Sequence, residues 1–303
     1  MIDETEFGAH FDRLMEKRGA DVRFDRFTSD TIMHDGNRLQ LDIIEVDKSA
    51  PTVVFVPGTA AYGLVYGNYL GALADSGINV VSFDPRGHGR SGGLPGSYTI
   101  GEIISDARAV AAYARDRFDG AVFMSGSSQG GIVAFYAAAT EEPLAGVICH
   151  NAADLMDPIN LENMDNPKAA RRATGVVKIL AKLFPKMPIK MERYLNLLSK
   201  DDSPAKRRML ADPYMSKVIR LRALASLSTT KMARPVEEIK TPVLLLHAGE
   251  DEVFPQSLAE GLHARMTCEK ELVIYPGLGH FLFSEHISAV MPDIKRWVFE
   301  RAG

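Results

Sequence analysis

Residues 121–139 read AVFMSGSSQGGIVAFYAAA, and the rest of the chain is organised around this stretch. The apolar run Ala121–Met124 enters Ser125-Gly126-Ser127-Ser128-Gln129-Gly130-Gly131 and continues directly into Ile132-Val133-Ala134-Phe135-Tyr136, leaving no residues for a loop. The pattern predicts a buried strand that turns sharply into a helix, with Ser128 at the turn. A serine there must adopt strained dihedrals that only small neighbours permit. Gly126 and Gly130 flank it two residues away on either side, and Gly131 lets the helix approach the sheet. The hydroxyl of Ser128 would stand above the sheet edge at the positive end of the helix, where a nucleophile belongs. Gly-x-Ser-x-Gly alone is a short pattern in a chain with 25 glycines; the strand before it and the helix after it give this occurrence its meaning.

Working outward, Thr52–Val56 is continuously apolar, as a strand covered on both faces should be. Pro57-Gly58-Thr59-Ala60-Ala61 then leads to a helical stretch, Asn68–Ser76. Asn79–Phe83 repeats the strand pattern and runs into Asp84-Pro85-Arg86-Gly87-His88-Gly89-Arg90-Ser91-Gly92; a helix follows over Ile100–Phe118. Downstream, Leu144–His150, Pro242–His247 and Glu271–Tyr275 read as further strands, and Ser284–Arg301 as a last helix presenting Ile287, Met291, Ile294 and Val298. This alternation implies a parallel sheet with helices on both faces. Ahead of it, residues 3–18 form an amphipathic helix, and Val22–Thr28 and Ile32–Val46 alternate in polarity around the turn signal Asp35-Gly36, an antiparallel opening to the sheet.

The chain has 303 residues, of which 46% are hydrophobic and 24% charged. That is ordinary for a globular protein and long enough for one large domain with an insertion. Its start lacks a basic cluster followed by an apolar core, no apolar run approaches a membrane span, and the only cysteines are Cys149 and Cys268. These features favour a cytoplasmic address without a disulfide framework. Net charge is −4, yet Asp154–Arg234 carries 17 Lys+Arg against 8 Asp+Glu. Such an abrupt shift marks a separate unit, so residues 1–153 and 235–303 are expected to form the core and 154–234 an inserted helical cap.

In parallel sheets chemistry collects past the carboxyl ends of the strands. Ser128 meets that condition. So do the acids of Ala248-Gly249-Glu250-Asp251-Glu252 and, after Glu271–Tyr275, His280 in Pro276-Gly277-Leu278-Gly279-His280. A nucleophile, an acid and a histidine in that order satisfy triad logic. By contrast, His88 is expected to brace its loop, His150 beside Cys149 to line the core, and His247 to be structural. No Cys/His cluster has zinc spacing and no glycine-rich segment ends in Lys-Ser/Thr, so neither a metal nor a nucleotide or other cofactor is expected.

With Gly126-x-Ser128-x-Gly130, Asp84-x-Arg86-Gly87-His88-Gly89-x-Ser91, Gly249-Glu250-Asp251 and Gly279-His280 in place, the chain resembles the α/β-hydrolase family over nearly its whole length. Within that family it looks most like the monoacylglycerol lipase, lysophospholipase and serine-aminopeptidase branch. The resemblance implies a mostly parallel eight-stranded sheet with the cap between the sixth and seventh strands. It also implies Asp251 as the triad acid, with Glu250 and Glu252 as the nearest rivals. One oxyanion donor would be the amide of Gln129, and the other that of Thr59 or Ala60. Many relatives carry His-Gly where this chain has Pro57-Gly58. The implied substrate is a small lipid-like ester.

In the insertion, Val176, Ile179, Leu180, Leu183 and Phe184 recur at helical spacing opposite Lys178 and Lys182, predicting an amphipathic helix. Further helices are expected over Ile189–Leu198, near Lys206-Arg207-Arg208, and over Tyr214–Leu227. Two readings of the charge compete: basic residues solvate a lid whose apolar stripe packs on the core, or they meet anionic lipid at a membrane surface. Aromatic residues are too sparse there for nucleic-acid binding.

Overall fold

The computed structural model describes residues 2–162, 166–198 and 204–303. Residues 163–165 and 199–203 of the expected insertion therefore lie outside the described residues. The core is one sheet of eight strands: β1 (Thr28–His34), β2 (Asn37–Ile44), β3 (Thr52–Val56), β4 (Asn79–Asp84), β5 (Val122–Ser127), β6 (Gly146–His150), and two later strands, β9 (Val243–Ala248) and β10 (Lys270–Tyr275). Their spatial order is β1-β2-β4-β3-β5-β6-β9-β10. β2 runs antiparallel to β1 and β4, and every other pairing in the sheet is parallel.

Burial explains the sequence pattern. Strands β3, β4, β5, β6 and β9 are buried at every position, because α2 (Gly67–Asp75), α3 (Ile100–Arg117), α4 (Gln129–Ala138), α10 (Gln256–Arg265) and α12 (Ile287–Arg301) cover the sheet. Covered on both faces, a strand has no reason to alternate. The edge strand β1 does alternate. It pairs with β2 from Thr28↔Ile43 to His34↔Asn37, across the turn at Asp35-Gly36. The strand begins only at Thr28; upstream, where alternation predicted strand from Val22, Phe24–Arg26 form a single tight turn. The Phe24 amide there donates to Asp12 Oδ1 at 2.8 Å, tying the turn to helix α1 (Glu4–Lys17) instead of a neighbouring strand. The expected terminal helix from Ser284 is broken at His286, giving α11 (Leu282–Glu285) and α12, and Val290 and Trp297 join Ile294 and Val298 in the core.

Between β6 and β9 lie α5 (Ile159–Glu162), α6 (Pro167–Leu183), β7 (Pro188–Lys190), α7 (Met191–Leu198), α8 (Pro204–Ala211), β8 (Val218–Arg220) and α9 (Leu221–Ser226). β7 and β8 form an antiparallel ribbon of three residues each; β7 takes the start of the helix expected over Ile189–Leu198, the rest of which is α7, and β8 interrupts the one expected over Tyr214–Leu227, of which α9 is helical. Helix α6 also departs from expectation. Val176, Ile179, Leu183 and Phe184 are 54%, 61%, 66% and 56% exposed and Leu180 is half-buried, so most of the apolar stripe faces outward and not into the core. Only Ala181 of this helix is buried. Among the described residues no helix is long and apolar enough to cross a membrane.

Candidate active site

Ser128 sits between β5 and α4 with φ 55° and ψ −119°, outside the conformations most L-residues adopt. The neighbouring glycines show what the turn demands. A Cβ at position 126 would lie 2.0 Å from Gly130 O, one at 130 would lie 2.1 Å from Val56 O, and one at 131 would lie 2.1 Å from Asn151 O. The turn closes on backbone from its own far side, from β3 and from the end of β6, and none of these can retreat. The Ser128 amide donates to His150 O at 2.8 Å, fixing the turn to β6.

The loop after β10 brings His280 across the sheet edge, so that its Nε2 lies 3.2 Å from Ser128 Oγ. Its Nδ1 lies 2.8 Å from Asp251 Oδ2. Donation from Nδ1–H to the carboxylate leaves Nε2 as the acceptor facing the hydroxyl. Glu250 and Glu252, the alternative acids, are exposed and line the wall of the cavity above. Asp251 is fully enclosed and accepts from the Val253 and Phe254 amides at 2.8 and 2.9 Å. Burial alone would raise its pKa. The His280 hydrogen bond and charge, with the Phe254 amide, outweigh burial and hold the carboxyl well below the usual range. The Phe254 ring stacks parallel to the imidazole, with centroids 5.9 Å apart.

Sequence reasoning missed Asn151, the first residue past β6. It adopts φ 64°, and its Nδ2 donates to Asp251 Oδ2 at 3.0 Å. The same nitrogen lies 3.3 Å from His150 Nε2 and 3.3 Å from His280 Nδ1. Applied to every polar side chain instead of to nucleophiles, acids and histidines alone, the strand-end rule would have found it. His150, Asp251 and His280 offer atoms within 4.8 Å of one another. An N–H donor stands among them where a cation would need to be, so the residues do not fit a metal. His150 is buried, its pKa is pushed down to about 3 chiefly by burial, and its Nδ1 lies 3.0 Å from Ser127 Oγ. His88 is also buried and holds its loop through Arg86 O at 3.0 Å. Cys149 and His247 are buried as well.

Over Ser128 opens a cavity of about 340 Å³, walled by Gly58, Thr59 and His280 from the core and by Leu195 and Met209 from α7 and α8. Gln129 opens α4, and its side-chain oxygen accepts from Tyr98 OH at 3.0 Å and Thr59 Oγ1 at 3.2 Å. Thr59 lines the cavity. Ala60 is 1% exposed with φ 65°, and its carbonyl accepts from Ser216 N at 2.9 Å.

A family model described as serine aminopeptidase, S33, matches residues 47–287. The chain is similar to a monoacylglycerol lipase of Mycolicibacterium smegmatis, at 26% identity over 81% of this chain and 87% of that protein. It is also similar to a bifunctional esterase/perhydrolase of Acinetobacter calcoaceticus, at 23% identity over 73% and 82%. Among solved structures, a soluble variant of monoglyceride lipase from Saccharomyces cerevisiae superposes with TM-score 0.74 at 18% identity, over 94% of this chain and 99% of that one.

Proposed function

The chain belongs to the serine aminopeptidase S33 family of α/β-hydrolases, in the branch that includes monoacylglycerol lipases, and on that footing we propose that it hydrolyses lipid-like carboxylic esters through an acyl-enzyme. The observation that carries this reading is the single imidazole spanning Ser128 at 3.2 Å and Asp251 at 2.8 Å. His280 Nε2 takes the hydroxyl proton as Ser128 Oγ adds to the ester carbonyl, and Asp251 stabilises the imidazolium. The amides of Gln129 and Thr59 receive the oxyanion. Thr59 is preferred to Ala60 because it borders the cavity. Collapse expels the alcohol, which takes the proton from His280; a water molecule deprotonated by the same nitrogen then releases the acid. An ester is favoured over an amide by the similarity to lipases and esterases and by the apolar wall of Leu195, Met209, Val253 and Phe281. The inserted helices act as a cap over this cavity.

A fluorophosphonate probe tests the reading. Covalent labelling of the wild type that disappears in Ser128→Ala supports it, whereas a folded, unlabelled wild type points to a binding protein on the same fold. A rate panel of monoacylglycerols, lysophospholipids, other esters and aminoacyl amides then selects the bond. Turnover of an amide and of no ester would overturn the choice of ester. The exposed Val176, Ile179, Leu183 and Phe184, on a basic insertion with Lys178 and Lys182 on the other side of the same helix, suit a peripheral contact with anionic lipid. Co-sedimentation with phosphatidylglycerol vesicles, but not with phosphatidylcholine vesicles, is the expected result. Equal absence from both would rule the contact out.

A further inference from the structure

Behind the catalytic groups runs a second polar chain that the steps above do not use. It begins at Asn151 Nδ2, which has two protons. One goes to Asp251 Oδ2 at 3.0 Å. His280 Nδ1 offers no acceptor for the other, because it carries the proton it donates to Asp251, so the second proton faces His150 Nε2 at 3.3 Å. Burial keeps His150 neutral, with its pKa pushed down to about 3. With Nε2 accepting, the one ring proton sits on Nδ1 and is donated to Ser127 Oγ at 3.0 Å. Ser127 lies beside the Tyr66 phenol, and Ser127 and the backbone of Gly58 each lower the pKa of that phenol.

Next to Ser127 stands the phenol of Tyr66. Burial raises the phenol pKa, the hydrogen bonds from Ser127 and Gly58 offsetting it only in part, so the group stays protonated. Tyr66 and Ser127 both line the cavity that contains Ser128. A Cβ built on Gly58 would lie 2.9 Å from the Tyr66 hydroxyl and 3.5 Å from Ser128 Cβ. The hydroxyl and the nucleophile therefore flank one small gap, kept open because residue 58 has no side chain. The Tyr66 ring is fixed by edge-on packing against Phe55, with centroids 4.9 Å apart.

We propose that Tyr66 is a further catalytic residue, whose hydroxyl donates a side-chain hydrogen bond to the substrate oxygen that gathers negative charge when Ser128 attacks. The proposal rests on the acyl-enzyme reading and adds a third donor to the two backbone amides. The place of the Tyr66 hydroxyl on the cavity wall, across the gap at Gly58 from Ser128, carries the assignment.

The test is Tyr66→Phe in the full chain, assayed with a short chromogenic ester and with an alkylboronic acid that mimics the tetrahedral adduct. Loss of one such donor predicts a fall in kcat on the order of 10²-fold with KM little changed. Boronate affinity should fall by the same factor as kcat/KM, and the thermal midpoint should not move. A kcat close to that of the wild type, in a preparation whose fluorophosphonate labelling depends on Ser128, would overturn the proposal and leave the acyl-enzyme reading standing. A lower kcat with unchanged boronate affinity would also overturn it, giving Tyr66 a packing role. If the wild type is not labelled, the reading of Ser128 fails first. Should Tyr66→Phe not fold, 3-fluorotyrosine at position 66 keeps the ring and makes the hydroxyl a stronger donor; a rise in kcat is expected, and an unchanged kcat refutes the assignment.

Discussion

Asn151 offers a demanding check on the geometry around Asp251. The carboxylate accepts from four donors: the Val253 and Phe254 amides on Oδ1, and His280 Nδ1 and Asn151 Nδ2 on Oδ2. Replacing Asn151 removes one of them from an enclosed charge. A hydrogen bond to an ionised group contributes about 1.5–3 kcal/mol. If the carboxylate is held for the transition state, in which it faces an imidazolium, kcat should fall by roughly 10- to 150-fold. Two substitutions separate the amide from the backbone. Asn151→Leu keeps the number and branching of the side-chain heavy atoms but places a bulkier side chain at φ 64°, adding about 1 kcal/mol of strain. Asn151→Gly accepts that φ readily and lacks the amide. Both should lose rate to a similar extent on a short ester, while only the leucine variant loses thermal stability through strain. If Asn151→Gly keeps kcat within about twofold of the wild type, the amide does not position the acid and the argument from the shared Oδ2 is wrong.

Two further outcomes concern the packing around β6. Gly131→Ala lies in a helix, where alanine normally gains about 1 kcal/mol over glycine. Here the new Cβ would meet Asn151 O at 2.1 Å and His150 O at 2.5 Å, so a loss of about 3 kcal/mol or more is expected in urea unfolding, and a gain would contradict the close helix–sheet approach. For His150, the folded pKa of about 3 lies below the ordinary 6.5, so the unfolded chain binds the proton more readily. Its contribution to stability is complete above pH 6.5 and declines as pH falls toward 3, by up to about 1.4 kcal/mol per unit. His150→Gln should flatten that part of the stability curve, and identical slopes in the two proteins would show that residue 150 does not stay neutral.

Local pattern alone determined much of this protein. Continuous apolar runs located the strands that helices cover, and the sequence around Ser128 implied its turn because the glycines act on backbone only a few residues away. The strand-end rule narrowed the reactive groups to a few loops. Tertiary structure decided what depends on approach from distant parts of the chain. Asp251 reaches His280 while Glu250 and Glu252 face the cavity, because the loop after β9 directs alternate side chains to opposite sides. Asn151 meets Asp251 across 100 positions. The ribbon of β7 and β8 has too few residues in either strand to carry a period; it exists because Pro188–Lys190 and Val218–Arg220 pair with each other. The stripe on α6 was visible as a stripe, but periodicity records only that one side of a helix is apolar. Whether that side meets the core, solvent or lipid depends on where the rest of the chain has already placed its own surfaces.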